Sequence, residues 1–388
     1  MDKKNYGLVF AGGGTRGAYQ VGVAIALKEL RINIGAVTGC SIGSINGALF
    51  VSNEVNKLKS IYDNIEIDDI LKVSDKNKLN NTTNLFTFDN LLKLGGEFIE
   101  KKGISNEPLA KSIDKYIDVD KIYNSKMDFG IITYDVKRGG VELFKNEIPK
   151  EEMKSYLLAS SCFPIFKPQK INGNKYLDGG ISDNMPINML IKRGYKNIIA
   201  IDINGMGLVR KVNSKEDVYI KVITPDGDLG GTFDFNHENI EKNIKYGYYD
   251  TLKAFHKAYG NYFYFKRYDF DRFLNNFSVN MIFGLESAGK LLGLERFKFY
   301  GYREYIKELM RAFEKEEEAY KKIKEDLNLK KIPSIIKEGH QVSLALDIIT
   351  NYPALYANNT VKGMLNKYFE AAMAIQEVRN TLNERMWK

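Results

Sequence analysis

Thr38-Gly39-Cys40-Ser41-Ile42-Gly43 stands where an apolar strand candidate, Ile34 to Thr38, gives way to a helical pattern marked by Ile42, Ile45 and Leu49. It reads as a nucleophile elbow: Ser41 on a sharp strand-to-helix turn, with Gly39, Cys40, Ile42 and Gly43 around it. Side chains at the two glycines would clash inside such a turn. At the first turn of a helix, free N–H groups and the positive end of the dipole favour a developing negative charge beside the serine. Two plainer readings compete. Ser41 could merely cap the helix. Alternatively, Ile32 to Asn53 could span a membrane, being free of charge and carrying Gly35, Gly39, Gly43 and Gly47 at four-residue intervals. The polar Asn33, Thr38, Ser41, Ser44, Asn46 and Ser52 dilute the hydrophobicity that a span of about 20 residues requires.

Upstream, the short strand candidate Leu8-Val9-Phe10 is followed by Ala11-Gly12-Gly13-Gly14-Thr15-Arg16-Gly17 and an apolar helix from Ala18 to Leu30. Strand, glycine loop and helix together make an anion cradle, because backbone N–H groups without side chains beside them can converge on one concavity. The same loop fits the Gly-x-Gly-x-x-Gly fingerprint of dinucleotide binding. That fingerprint expects an acidic residue about 20 positions on. Between Glu29 and Glu54 there is no Asp or Glu, so no nicotinamide or flavin cofactor is expected.

Downstream, a helical pattern from Val51 to about Lys78 leads into a polar loop, Lys76 to Asn84, and an apolar, aromatic stretch, Leu85 to Glu100, expected to form a cap. Ser105-Asn106-Glu107-Pro108 opens a helix over Leu109 to Tyr116. Strands are expected at Phe129 to Tyr134 and Val141 to Phe144, and a helix at Lys150 to Ser161. The apolar turn Cys162 to Pro168 could wall a pocket for an acyl chain or simply make a core corner. Asp178 then ends a strand and is followed by Gly179 and Gly180, which let another loop approach its carboxylate. Taken alone, an Asp-Gly-Gly stretch is only a turn.

Ile198 to Ile203 and Val218 to Thr224 complete an alternation of strands and helices that indicates an α/β sheet covered by helices. Asn236 to His256 is expected to close the domain as a helix, with Tyr262 to Phe265 as an edge segment. Beyond about residue 270 the pattern turns helical: Glu286 to Leu294, Tyr302 to Leu327, Ser334 to Thr350 and Thr360 to Trp387. In the longest, Tyr302, Ile306, Leu309, Phe313, Tyr320, Ile323 and Leu327 form the apolar face. The expected division is a catalytic domain at 1–270 and a helical extension at 271–388, with a membrane- or partner-binding helix pair as the alternative for the extension.

A chain of 388 residues that is 44% hydrophobic, with 24 Tyr and 22 Phe, is a folded globular protein and not a disordered one. The net charge of +8 is spread evenly, +4 on residues 266–388 and +4 on the rest, which argues against a nucleic-acid groove and suits mild attraction to anionic surfaces. Cys40 and Cys162 give neither a disulfide framework nor a metal-ligand spacing, and His237, His256 and His340 have no zinc-motif spacing. The N-terminus carries neither a signal peptide nor a transmembrane segment, so a cytoplasmic protein is expected.

Gly12-Gly13-Gly14-Thr15-Arg16-Gly17, Gly39-Cys40-Ser41-Ile42-Gly43 and Asp178-Gly179-Gly180, in this order, resemble the motifs of the patatin-like phospholipase family. The resemblance covers about residues 5 to 265 and extends to Ala159-Ser160-Ser161-Cys162-Phe163-Pro164, Gly230 to Phe235 and Gly247-Tyr248. It implies a three-layer αβα sandwich with a mostly parallel central sheet. It also implies a metal-independent serine acyl hydrolase that works without cofactors at a membrane surface on phospholipids or lysophospholipids. Ser41 would be the nucleophile, Asp178 its only catalytic partner, and Gly12 to Gly17 the oxyanion hole. An α/β-hydrolase triad of Ser41, Asp178 and His237, and a lipid-binding module with little turnover, are the alternatives.

Overall fold

The computed structural model describes residues 5–71, 103–214, 217–324, 327 and 329–385. The expected loop at 76–84 and cap at 85–100 lie outside the described residues. The chain divides into two compact units, Met1–Ala254 and Phe255–Lys388.

In the first unit the strands are β1 (Tyr6–Phe10), β2 (Ile34–Cys40), β3 (Asp128–Asp135), β4 (Gly139–Phe144), β5 (Gln169–Ile171), β6 (Asn174–Asp178), β7 (Asn197–Ile201) and β8 (Tyr219–Ile223). The helices are α1 (Gly17–Glu29), α2 (Ile42–Val51), α3 (Val55–Asn64), α4 (Glu107–Tyr116), α5 (Val119–Asn124), α6 (Met153–Ser160), α7 (Ile187–Lys192) and α8 (His237–Ala254). The sheet runs β5-β6-β3-β2-β1-β7-β8, with β4 paired to β3. Its centre, β3-β2-β1-β7-β8, is parallel, as expected for strands whose side chains are apolar on both faces, and β4, β5 and β6 are antiparallel additions.

Alternation along the central strands defines the layers. Gly47 of α2 lies over Val37 and Phe129, where a Cβ would come within 3.1 and 3.3 Å of their side chains. On the opposite face α7 covers Gly7 with Leu190 and Gly130 with Met189. The sheet is therefore sandwiched between helices. Helices α1 and α8 press together so closely that a side chain at Gly22 would collide with the Ile244 carbonyl, and one at Gly247 with the Tyr19 carbonyl. The uncharged stretch from Ile32 to Asn53 is a buried strand, a turn and a helix. Among the described residues no helix is long and apolar enough to cross a membrane.

The second unit contains β9 (Tyr264–Phe265), β10 (Phe299–Tyr300) and the helices α9 (Arg267–Asn276), α10 (Val279–Leu291), α11 (Tyr302–Ile323), α12 (Ile332–Lys337), α13 (Gln341–Asn351), α14 (Pro353–Ala357) and α15 (Asn359–Arg385). Tyr264–Phe265, expected as an edge segment, instead pairs with Phe299–Tyr300 in the core of this unit, beside Phe263, Phe273 and Tyr305. The helix expected at Ser334 to Thr350 is two helices, because Gly339 takes φ +92° between them. Tyr302, Ile306, Leu309, Phe313 and Tyr320 are buried as the apolar face of α11, whereas Ile323 at its end is exposed.

Candidate active site

Strand β3 carries two partners in series along one edge. β2 pairs with it as far as Cys40 opposite Ile132, and β6, arriving antiparallel, ends with Asp178 opposite Thr133. The C-terminal ends of β2 and β6 therefore meet at consecutive residues of β3. Ser41, one residue beyond β2, and Asp178, the last residue of β6, line the same cleft.

Ser41 occupies φ 54°, ψ −131°, a strained conformation for a residue with a side chain, of the kind that costs about 1–3 kcal/mol and persists only where the surroundings enforce it. The surroundings do. The Ser41 N–H donates to Ser160 Oγ at 3.0 Å, and the Ser41 carbonyl accepts from the Ser44 N–H at 2.8 Å and from Ser44 Oγ at 2.7 Å. Gly39 and Gly43 are packed where the turn has no room for side chains: a Cβ at Gly43 would strike the Phe10 carbonyl, and one at Gly39 would lie 2.5 Å from the Gly43 carbonyl. Ile42, the first residue of α2, lines the cleft beside the serine.

Asp178 is buried. Its Oδ1 accepts from the Gly180 N–H at 2.8 Å and from the Cys40 thiol at 3.8 Å, while Oδ2 is buried with no hydrogen-bond partner among the described residues. Burial raises its pKa to about 6, against the lowering effects of the Ser41 hydroxyl, the Gly180 N–H and the Cys40 thiol. Cys40 is itself buried beside this carboxylate, and both effects push its pKa up, so it remains a neutral thiol. Gly179 packs on the Ile132 carbonyl, which holds the end of β6 against β3.

The six residues of the glycine loop take different positions. Gly13, Gly14 and Thr15 line the cleft with Ser41 and Asp178. The Gly12 N–H donates to the Asn184 carbonyl at 3.2 Å and the Thr15 N–H to the Thr232 carbonyl at 2.9 Å. By contrast, the Gly13 and Gly14 N–H groups make no hydrogen bond among the described residues. Gly14 stands at φ +61° against Thr232. Arg16 turns its guanidinium to the backbone, donating from Nε to the Gly230 carbonyl at 2.8 Å and from Nη1 to the Asn204 carbonyl. Gly17 opens α1 and donates to the Gly14 and Thr15 carbonyls.

Three residues to which the sequence reading gave no role complete the site. Ser160 holds the elbow. Asn184 braces the glycine loop, donating from Nδ2 to the Gly12 carbonyl at 3.1 Å and accepting the Gly12 N–H on its own carbonyl. Ser161 presents a buried hydroxyl without a hydrogen-bond partner among the described residues and lines the cleft. The two serines fall in the Ala159-to-Pro164 stretch that carries the family resemblance, and Asn184 follows Asp178 by six residues, signals of place and not of role. The cleft as a whole encloses about 740 Å³, its opening to solvent included, and its other walls are apolar, with Ile45, Ile70, Leu109, Phe163, Phe166, Phe233 and Phe235 among them. His237 is exposed, and its Nε2 lies 3.3 Å from Glu66 Oε1.

Residues 8–191 match the family model described as patatin-like phospholipase. A lysophospholipase NTE1 of Candida albicans is 25% identical over 206 residues, which is 53% of this chain and 14% of that protein. The neuropathy target esterase sws of Drosophila melanogaster is 27% identical over 213 residues, 55% of this chain and 14% of that one. The chain thus spans about a seventh of the length of these curated relatives. Among solved structures, VipD from Legionella pneumophila aligns with 99% of this chain and 88% of its own at 13% identity, with a TM-score of 0.41.

Proposed function

From the match of residues 8–191 to the patatin-like phospholipase family model, we propose that the first unit is a serine acyl hydrolase that cleaves fatty-acyl esters of phospholipids or lysophospholipids through a Ser41–Asp178 dyad. The observation that carries the proposal is the meeting of a strained, pinned Ser41 and a buried Asp178 in one cleft with two uncommitted backbone N–H groups, those of Gly13 and Gly14.

Asp178, ionised above about pH 6, accepts the Ser41 hydroxyl proton as Oγ attacks the ester carbonyl carbon. The Gly13 and Gly14 N–H groups receive the negative charge that develops on the carbonyl oxygen, with the N-terminus of α2 adding its dipole. Collapse of the tetrahedral intermediate releases the alcohol, which takes the proton from Asp178. Water then attacks the acyl-serine with Asp178 as base, the fatty acid leaves, and Ser41 regains its proton. The uncommitted Oδ2 of Asp178 is the acceptor this cycle requires. The apolar walls of the cleft suit an acyl chain, which would gain roughly 0.8 kcal/mol per buried methylene. A histidine triad finds no support in the position of His237, whose ring faces Glu66.

Fatty-acid release from phosphatidylcholine and lysophosphatidylcholine, compared among wild type, Ser41→Ala and Asp178→Asn, tests the reading. Release by wild type that both substitutions abolish supports it. Release that survives Ser41→Ala sinks it.

A further inference from the structure

Large apolar side chains left exposed singly need no explanation, but a cluster of them does. Among the described residues of the first unit the exposed ones are Val136, Leu208, Val209, Val212, Tyr219 and Val222. The last two lie on β8 at the sheet edge. The other four, 43–56% exposed, lie in two loops: Val136 in the turn 136–138 between β3 and β4, and Leu208, Val209 and Val212 together in the irregular segment 205–213 after β7.

The segment 205–213 is tied to the cleft. Met206 lines it. The Leu208 N–H donates to the Gly180 carbonyl at 2.9 Å and the Leu208 carbonyl accepts from the Asn184 N–H at 2.5 Å, so this segment is pinned two and six residues beyond Asp178. Farther along, Asn188 holds it from both sides, donating to the Lys211 carbonyl at 2.9 Å and accepting the Asn213 N–H at 2.8 Å. Arg210 joins this segment to β4, the strand that follows the turn 136–138: it donates to the Ser182 carbonyl at 3.0 Å and to Glu142 at 2.9 Å, and it lies so close to Gly140 that a Cβ there would come within 2.7 Å of its guanidinium.

The charged side chains in these two loops and on the residues paired with them are mostly positive. Lys137, Arg138, Lys192, Arg210 and Lys211 stand against Asp135, which holds Arg138, and Glu142, which holds Lys192 and Arg210. Asp183, which accepts the Arg210 N–H, is buried and its pKa is raised to about 6 by that burial.

We propose that these two loops are an interfacial docking surface that seats the mouth of the cleft on an anionic phospholipid bilayer. Branched aliphatic side chains entering the acyl boundary while lysines and arginines meet lipid phosphates is the pattern of an interfacial anchor. Docking here would let a lipid pass to Ser41 without crossing water. The inference rests on the acyl-hydrolase reading of the cleft.

The test uses the full chain with phosphatidylcholine vesicles, with and without phosphatidylserine, and measures co-sedimentation at low and high salt. A soluble short-chain p-nitrophenyl ester serves as a parallel substrate. Wild type should bind phosphatidylserine vesicles and release them as salt rises. Leu208→Ser/Val209→Ser/Val212→Ser and, separately, Lys137→Glu/Lys211→Glu should each bind roughly tenfold or more weakly. Both variants should hydrolyse the soluble ester at the wild-type rate, which shows fold and dyad intact. Wild-type binding by both variants, or no vesicle binding by wild type, overturns the surface. A wild type that cleaves no ester, with the binding losses still present, overturns the hydrolase reading and keeps the surface.

Discussion

Cys40 and Asp178 end two strands that meet head to head on one edge of β3, opposite the consecutive residues Ile132 and Thr133. The site follows from that register. Slipping either strand by one residue would turn its alternating side chains to the other face and separate Ser41 from Asp178.

The pH dependence follows from the buried carboxylate. Asp178 must be ionised to accept the proton, and its pKa is raised to about 6. The rate on a soluble ester should therefore be flat above about pH 7 and fall about tenfold per unit below pH 6. A titration of kcat/KM reads this directly; an acid limb near pH 4 would mean that the carboxylate is not desolvated as the structure has it.

Stability should move the other way. A folded-state pKa above the ordinary 3.8 means that the carboxyl stabilises the fold below about pH 4, and that this contribution is lost as pH rises through about 6. Asp178→Asn keeps an acceptor for the Gly180 N–H and has no charge to bury. It should be more stable than wild type at pH 8, by up to about 3 kcal/mol at roughly 1.4 kcal/mol per pH unit, with the difference vanishing near pH 4. Urea unfolding at the two pH values measures it, and equal midpoints at pH 8 would contradict it.

Ser160 acts through Ser41. Ser160→Ala removes the hydroxyl that accepts the Ser41 N–H and loosens the strained turn. We expect about a tenfold fall in kcat with KM unchanged, and about 1 kcal/mol of lost stability. A rise in KM with kcat intact would place Ser160 at substrate instead.

Replacing His237 separates dyad from triad. His237→Ala should keep activity within about twofold, because its ring faces Glu66 at an exposed position, whereas loss of a triad histidine costs about 10⁴-fold or more. Steady-state kinetics on any cleaved ester decides between them.

The elbow and the strand before the glycine loop could be read from the chain because their signals are local: apolar runs of strand length, glycines where no side chain fits, and helical spacing straight after Ser41. The roles of Ser160 and Asn184 could not be, since the first acts 119 residues from Ser41 and the second 172 residues from Gly12, across contacts only the sheet creates. The division of labour within Gly12 to Gly17 was hidden for the same reason. Thr15 and Arg16 bond to the distant segment 230–232, whereas Gly13 and Gly14 make no N–H hydrogen bond among the described residues. Tyr262 to Phe265 was misread as an edge because its aromatic run fits a strand on either side of a domain boundary. The break at Gly339 was missed because a lone glycine within a periodic apolar pattern does not reveal its φ.

The central claim is that Ser41 is the activated nucleophile, and covalent labelling by an alkyl fluorophosphonate tests it most directly. The account predicts one adduct per chain, mapped by peptide mass to Ser41, absent from Ser41→Ala and formed far more slowly in Asp178→Asn. Adduct on another serine, or undiminished labelling of Asp178→Asn, would contradict it.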